Sequence, residues 1–158
     1  MNNLYPDFIE FLTTLAENGV DFVVVGAYAV AFYGHARATK DIDVFVRTGV
    51  ENAQRLYSAL AKFGAPLKAL DIQEHDLENY DGIFQLGSPP QRIDVITQIS
   101  GVRYDEAVAE AQAFELNGNI IHVIGYDALI TNKRASARLQ DLADVEALIR
   151  LQKNSDSK

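Results

Sequence analysis

The apolar positions of this chain follow two spacings, and each spacing predicts a different element. Near the start, apolar residues recur every three or four positions, which predicts an amphipathic helix over residues 4–18 that ends at Asn18-Gly19. The run Phe22-Val23-Val24-Val25 is apolar throughout, as is typical of a central strand. Gly26 follows this strand, and a short helix is predicted over 27–33.

The remainder of the chain predicts strands and helices in mixed order. The predicted strands are 42–46, 83–86, 92–99, 113–116 and 119–124, and the predicted helices are 50–63, 104–112, 126–136 and 139–152. Hairpin turns are predicted at 87–90 and at Asn117-Gly118. The acidic segment 71–81 predicts a solvated loop or a short helix. This order favours an α+β fold in which helices, including two at the C-terminus, flank one mixed sheet.

Length and composition indicate one globular domain. The chain has 158 residues, 48% of them hydrophobic, which is enough for a single core. We expect one domain over residues 1–152 and a disordered tail over 153–158. No segment has the pattern of a signal peptide or approaches the roughly 20 apolar residues of a membrane helix, so we expect no membrane association.

Charge and cysteine content narrow the function classes. The absence of cysteine excludes disulfides, thiolate zinc sites and cysteine nucleophiles, and is consistent with a cytoplasmic location. The formal net charge of -8 argues against a long nucleic-acid footprint, because phosphates are repelled by an acidic surface. A small phosphate ligand remains compatible, since a few local charges decide its binding.

Asp41 and Asp43 are the first candidate functional residues. They are two positions apart at the start of an apolar strand, so their side chains are expected on one face. Like charges so placed repel one another, and a bound cation relieves that repulsion. Oxygen ligands of this kind suit Mg²⁺ or Mn²⁺. A pair of this spacing is also expected by chance in a chain with 22 acidic residues.

Two further residues strengthen the metal-site hypothesis. Asp94 interrupts the apolar strand 92–99 and needs a cation or hydrogen-bond donors if it is buried. If this strand neighbours 42–46, Asp94 joins the first pair, although a salt bridge to Arg92 is an alternative use of its charge. Gly26, between a strand and a helix, allows the backbone to approach a phosphate, or serves only as a turn.

Basic residues precede the carboxylates. Arg37 and Lys40 lie in the predicted loop before Asp41, where their charges could contact polyphosphate oxygens. The alternative for each is a solvated loop residue.

These features together resemble the minimal nucleotidyltransferase superfamily, which has the polymerase-β-like fold. That family has a strand, a Gly-Gly or Gly-Ser turn, a short helix, D-x-D on the next strand and a third Asp on a later strand. The matching parts are Gly26-Ala27, Asp41-x-Asp43 and Asp94. The string VVVGAYAVAFYGHARATKDIDVFV and the segment 133–144 are similar to the bacterial subgroup related to AbiE-type nucleotidyltransferase toxins.

The resemblance implies a function and a role for each residue. It implies transfer of a nucleoside monophosphate from an NTP to a hydroxyl acceptor, such as a protein, a tRNA 3′ end or a small molecule. Asp41, Asp43 and Asp94 would be catalytic and would bind Mg²⁺ or Mn²⁺; Gly26 and Ala27 would hold the triphosphate, and Lys133 would neutralise phosphate charge. A partner protein or antitoxin is a further expectation. Arg138 and Asp141, three apart on a helix, are expected to pair with each other.

Ala27 departs from the family pattern. Its methyl group stands where the family has Gly or Ser, so it offers a phosphate only its backbone N–H. This favours an alternative function, a catalytically impaired binding or regulatory module of the same fold.

Other enzyme classes fit the sequence less well. A haloacid-dehalogenase-like phosphatase needs an apolar strand before its first Asp, whereas here the apolar run follows the pair. The three histidines are scattered without metal-ligand spacing, and no G-x-S-x-G motif supports Ser/His/Asp catalysis.

Overall fold

Six strands form one mixed sheet in the order β3-β4-β2-β1-β6-β5. A computed structural model describes residues 4–79, 83–87 and 91–157 of the chain. The strands are β1 Phe22–Val25, β2 Asp41–Val46, β3 Ile83–Leu86, β4 Arg92–Ile96, β5 Gln112–Leu116 and β6 Asn119–Val123. The helices are α1 Pro6–Glu17, α2 Gly26–Phe32, α3 Val50–Phe63, α4 Tyr104–Ala109, α5 Tyr126–Ser136 and α6 Leu139–Asp156. The predicted α+β fold is thereby confirmed.

The centre of the sheet is β1, as its apolar sequence predicts. All four of its residues are buried, and it pairs antiparallel with β2 and parallel with β6. Helix α1 covers the sheet with the stripe predicted from its spacing, of which Phe8, Phe11, Leu12 and Leu15 are buried. Burial of such side chains contributes about 1.5–3 kcal/mol each, so this layer stabilises the fold.

Three predicted boundaries are wrong by three residues or more. β4 ends at Ile96 rather than 99, because Ile96 is the last residue with partners on both neighbouring strands. α4 ends at Ala109 rather than 112, since Gln112 already pairs with Val123 in the β5–β6 hairpin. α6 continues to Asp156, so residues 153–156, expected in a disordered tail, are helical. An established helix extends readily, because each added residue gains one hydrogen bond.

Two predicted connections fall partly outside the described residues. The turn at 87–90 includes residues 88–90, and the acidic segment 71–81 ends in residues 80–82, all outside the described ranges. Within the described part, the acidic segment contains a 3-10 turn, Glu74–Leu77, whose Leu77 is buried. None of the helices in the described ranges is long and apolar enough to cross a membrane.

Candidate active site

The register between β2 and β4 brings the predicted carboxylates together. The two strands are parallel, with Asp41 opposite Arg92 and Asp43 opposite Asp94. Because alternate residues of a strand point to one face, all four side chains project from the same side of the sheet. They line a cavity of about 550 Å³. The condition set by the sequence, that the Asp94 strand neighbours β2, is therefore met.

Gly26 is placed against Asp43. It follows Val25, the β1 partner of Asp43, and has a φ of 70°, which favours glycine. A Cβ atom at this position would overlap Asp43 Oδ2. Glycine is thus required here by both the backbone and the neighbouring carboxylate, whereas the sequence suggested only a phosphate approach or a turn.

The Asp43 carboxyl is the most perturbed group of the site. Burial, followed by the charge of Asp94, a hydrogen bond to that side chain and the charge of Asp41, raises the pKa of Asp43 to about 7. The charge of Lys133 opposes this rise. Burial and the neighbouring carboxylates both disfavour the ionised form of Asp43, and a cationic ligand beside it would favour that form.

Arg92 bridges two of the carboxylates. Its Nε donates to Asp94 Oδ1 at 2.9 Å, and its Nη2 donates to Asp94 Oδ2 at 3.3 Å and to Asp41 Oδ2 at 3.0 Å. The salt bridge to Asp94 that the sequence left as an alternative is present, and it extends to Asp41. Asp94 itself is only 6% exposed.

Another wall of the cavity belongs to a buried ionic network on α5 and α6, of which Lys133 and Asp141 line the cavity. Lys133 Nζ lies 3.1 Å from Asp141 Oδ1 and 3.1 Å from Asp144 Oδ2, and all three residues are buried. Arg37 donates from Nε and Nη2 to the two oxygens of Asp144, at 3.0 and 3.1 Å. This bidentate pair fastens the loop before β2 to α6.

Arg138 caps the same network at the cavity rim. Its Nε donates to Asp141 Oδ2 at 2.8 Å, so the predicted pairing of these two residues is observed. Burial alone would raise the pKa values of Asp141 and Asp144, but hydrogen bonds and the charges of the neighbouring cations together outweigh burial and lower both. The donors are Arg138 and Lys133 for Asp141, and Arg37, Lys133 and Gln140 for Asp144. Both carboxylates are therefore held as anions.

Most of the predicted site residues share this cavity. Its lining includes Asp41, Asp43, Asp94, Gly26, Ala27, Arg37 and Lys133. Lys40 is exposed and lies outside the lining. The roles assigned to these residues stay predictions.

Sequence reasoning missed the partners of these side chains. It treated Arg92 only as an alternative partner of Asp94, and it assigned no role to Asp144. The i, i+2 spacing of Arg92 and Asp94 signalled the first contact. No local pattern signalled the second, because Arg37 and Asp144 are 107 positions apart.

Comparisons with known proteins agree with this arrangement. A family model described as nucleotidyl transferase of unknown function (DUF2204) matches residues 5–158. The chain belongs to this nucleotidyl transferase family. A search of curated proteins finds no match.

Solved structures share the fold at low sequence identity. The antibiotic-resistance factor ANT(2'')-Ia has a TM-score of 0.59 at 11% identity, with 92% of this chain and 82% of that chain covered. A candidate nucleotidyltransferase from Thermotoga maritima has a TM-score of 0.51 at 15% identity, with 99% of this chain and 97% of that chain covered. An antigenic nucleotidyltransferase-like protein from Paracoccidioides brasiliensis has a TM-score of 0.52 at 14% identity, with 94% of this chain and 78% of that chain covered. At these identities the likeness establishes the fold.

The donor set suits the divalent metal that nucleotidyl transferases generally use. Carboxylate oxygens are the ligands that Mg²⁺ and Mn²⁺ prefer, and Asp43 and Asp94 are already side by side. In their present positions, however, no three His, Asp or Glu side chains of the described ranges converge on one ion position. In the same positions, Arg92 forms ion pairs with both Asp41 and Asp94.

Replacing Arg37 with Ala should destabilise the protein by about 2–4 kcal/mol. The substitution removes one cation and two hydrogen bonds from the fully buried Asp144 carboxylate, which then shares Lys133 with Asp141 and keeps the hydrogen bond from Gln140. Urea denaturation followed by circular dichroism would measure the loss. The control is Arg150→Ala, which breaks an exposed pair with Glu146 and should change stability by less than about 0.5 kcal/mol. Equal effects of the two substitutions would contradict a structural role for Arg37.

Proposed function

We propose that the protein transfers a nucleoside monophosphate from an NTP to a hydroxyl acceptor and releases pyrophosphate. The observation that carries this proposal is the parallel register of β2 and β4, which places Asp43 beside Asp94 on the face that also carries Asp41. Gly26 lies against Asp43 at the same edge of the cavity. The family membership supports the reaction class.

The proposed step is a substitution at the α-phosphorus of the NTP. The acceptor oxygen forms a bond to this phosphorus, and the bond from phosphorus to the oxygen bridging the α- and β-phosphates breaks, so that pyrophosphate leaves. Asp94 is the proposed base that takes the proton of the acceptor hydroxyl. Bound Mg²⁺ or Mn²⁺ would neutralise phosphate charge and orient the reacting groups. Asp41, Asp43 and Asp94 are the residues proposed to hold it.

The other lining residues have proposed roles in holding the triphosphate. The backbone at Gly26 and Ala27 borders the cavity and is proposed to receive phosphate oxygens. Lys133 is proposed to neutralise phosphate charge, which is supported by its effect on Asp43, since its field already reaches that carboxylate. Arg37 borders the cavity while bound to Asp144, and the exposed Lys40 is proposed to approach the phosphates from solvent.

Mg²⁺ together with an NTP should raise the melting temperature of the protein. A ligand at about 100 times its dissociation constant adds about 2.7 kcal/mol, which corresponds to about 5–10 °C for a chain of this size. Melting curves with each of the four NTPs, with and without Mg²⁺, would show this shift and reveal the base preference. EDTA with NTP is the control. A melting temperature unmoved by every NTP would contradict the proposal.

The acceptor can be identified by labelling. The protein would be incubated with a cell extract and an NTP labelled at the α-phosphate, and the labelled product would then be separated into protein, RNA and small-molecule fractions. The Asp43→Asn variant provides the background.

Binding without transfer is the second candidate function. Ala27 favours it, because the resembled family has Gly or Ser at this position in the phosphate-binding turn. A melting shift with Mg²⁺ and NTP, combined with no labelled product and no released pyrophosphate in any extract, would support this function over transfer.

We further propose a cytoplasmic role as the toxin component of a toxin–antitoxin pair. The support is the resemblance of the segment from Val23 to Val46 and of the segment 133–144 to AbiE-type nucleotidyltransferase toxins. A protein partner that blocks the cavity would then be the antitoxin. Labelling of an acceptor without which cells cannot grow would agree with this role.

A further inference from the structure

Arg92 occupies the ligands that the proposed metal needs. Its guanidinium uses both oxygens of Asp94 and one oxygen of Asp41, which are two of the three proposed metal ligands. A bidentate guanidinium–carboxylate contact has the geometry and the charge to replace an ion for these oxygens. The metal-free site is therefore already partly neutralised by a side chain.

The other cations of the cavity are committed elsewhere. Arg37 bonds Asp144, Lys133 lies between Asp141 and Asp144, and Arg138 bonds Asp141. Among the described residues that line the cavity, only Arg92 forms an ion pair with the proposed metal ligands. An incoming metal ion would therefore compete with Arg92 for the oxygens of Asp41 and Asp94.

Arg92 also has room to leave. Its side chain is 29% exposed, and Asp41, to which it makes a single hydrogen bond, is 39% exposed. The guanidinium borders the cavity, where the phosphates of an NTP are proposed to lie. A guanidinium released from a carboxylate and adjacent to a phosphate gains an equivalent bidentate partner.

We infer that Arg92 is a displaceable counter-cation. It neutralises Asp41 and Asp94 in the metal-free protein, releases both carboxylates when a divalent ion enters, and then contacts the nucleotide phosphates. This inference rests on the proposed function, and it assigns Arg92 a role in nucleotide binding outside the chemical step. It implies that Arg92 weakens the binding of the metal alone and strengthens the binding of the nucleotide, so that the two ligands bind cooperatively.

Arg92→Gln tests both the effect on metal binding and the effect on nucleotide binding. Glutamine removes the positive charge and the bidentate donor geometry of the guanidinium but keeps a polar side chain. Free Mn²⁺, followed by electron paramagnetic resonance without nucleotide, should show roughly tenfold tighter binding to the variant. At saturating Mn²⁺, the NTP that gives the largest melting shift should bind roughly tenfold more weakly. A purely structural role for Arg92 would not move the two affinities in opposite directions.

The matched control is Arg150→Gln, which makes the same charge change at an exposed ion pair outside the cavity. It should alter neither affinity. Circular dichroism of Arg92→Gln in EDTA would test whether the variant folds. Arg92→Lys keeps the charge without the bidentate donor geometry and should give intermediate affinities for Mn²⁺ and for the NTP. Equal Mn²⁺ affinity of Arg92→Gln and the unchanged protein, or a weaker one in the variant, would overturn the inference while leaving the proposed transfer standing. Failure of both proteins to bind Mn²⁺ would overturn the inference and the proposed metal site together.

Discussion

Gly26→Ala should both destabilise the protein and reduce transfer by at least about 100-fold. An alanine at a φ of 70° is strained by about 1–2 kcal/mol, and its Cβ would overlap Asp43 Oδ2. Relief of the overlap must move either the carboxylate or the backbone between β1 and α2. Displacement of a catalytic group by about 1 Å is enough for a loss of this size. Urea denaturation and pyrophosphate release would measure the two effects.

The strain and the overlap can be separated with a matched glycine. Gly118 has a φ of 82° and open space where a Cβ would be added, so Gly118→Ala carries the backbone strain alone. It should lower stability by about 1–2 kcal/mol and leave transfer unchanged. In an Asp43→Ala background, Gly26→Ala should destabilise less, because the overlapping oxygen is gone. An unchanged effect of Gly26→Ala in that background would contradict the proposed contact.

Asp43→Asn should abolish transfer and yet stabilise the metal-free protein above pH 7. Activity should fall by at least about 1000-fold, because an amide cannot replace an ionised carboxylate as a metal ligand. Stability should rise, since burial and the neighbouring Asp94 and Asp41 make ionised Asp43 unfavourable in the folded state. Activity and stability would thus change in opposite directions at one residue.

The raised pKa of Asp43 predicts how the stability gain of Asp43→Asn depends on pH. The pKa of Asp43 is raised from 3.8 to about 7, so the folded state holds a proton that the unfolded state has released between these values. The contribution of Asp43 to the free energy of unfolding therefore falls as the pH rises from about 4 to about 7 and is constant above that. Asp43→Asn should match the unchanged protein near pH 4 and exceed it by on the order of a few kcal/mol at pH 8.

Chemical denaturation in EDTA across this pH range would measure the difference. Asp105→Asn is the control, because Asp105 is 80% exposed and its pair with Arg47 is at the surface. It should change stability by less than about 0.5 kcal/mol at any pH. A stability gain from Asp43→Asn that is the same at pH 4 and pH 8 would contradict the assignment of the raised pKa to Asp43.

The sequence predicted those parts of the site that depend on local pattern. The period of two in Asp41-x-Asp43 placed both carboxylates on one face, and the apolar run 22–25 identified the central strand. The glycine after that strand was also recognisable. What the sequence could not supply was the strand register, which decides that Asp43 faces Asp94 and Asp41 faces Arg92. A shift of one residue would have placed these side chains on opposite faces.

The basic residues were the least predictable. Arg37 and Lys133 were expected to be available to phosphate, but each is bound to carboxylates of α6. Charge alone could not distinguish these outcomes, because the sequence does not reveal which acidic residues become buried. Asp144, which is fully buried, has no local signal that separates it from the many exposed acidic residues of the chain.

The ionic wall of the cavity has a consequence for biosynthesis. The strands β2 and β4, which carry the three site carboxylates, are complete once residue 96 has been made, whereas the Arg37–Asp144 contact spans 107 positions. As a nascent chain leaves the ribosome, its N-terminal part is available to fold first. The carboxylate side of the cavity, on β2 and β4, can therefore fold before the ionic network on α5 and α6. The complete cavity exists only after α6 has emerged from the exit tunnel.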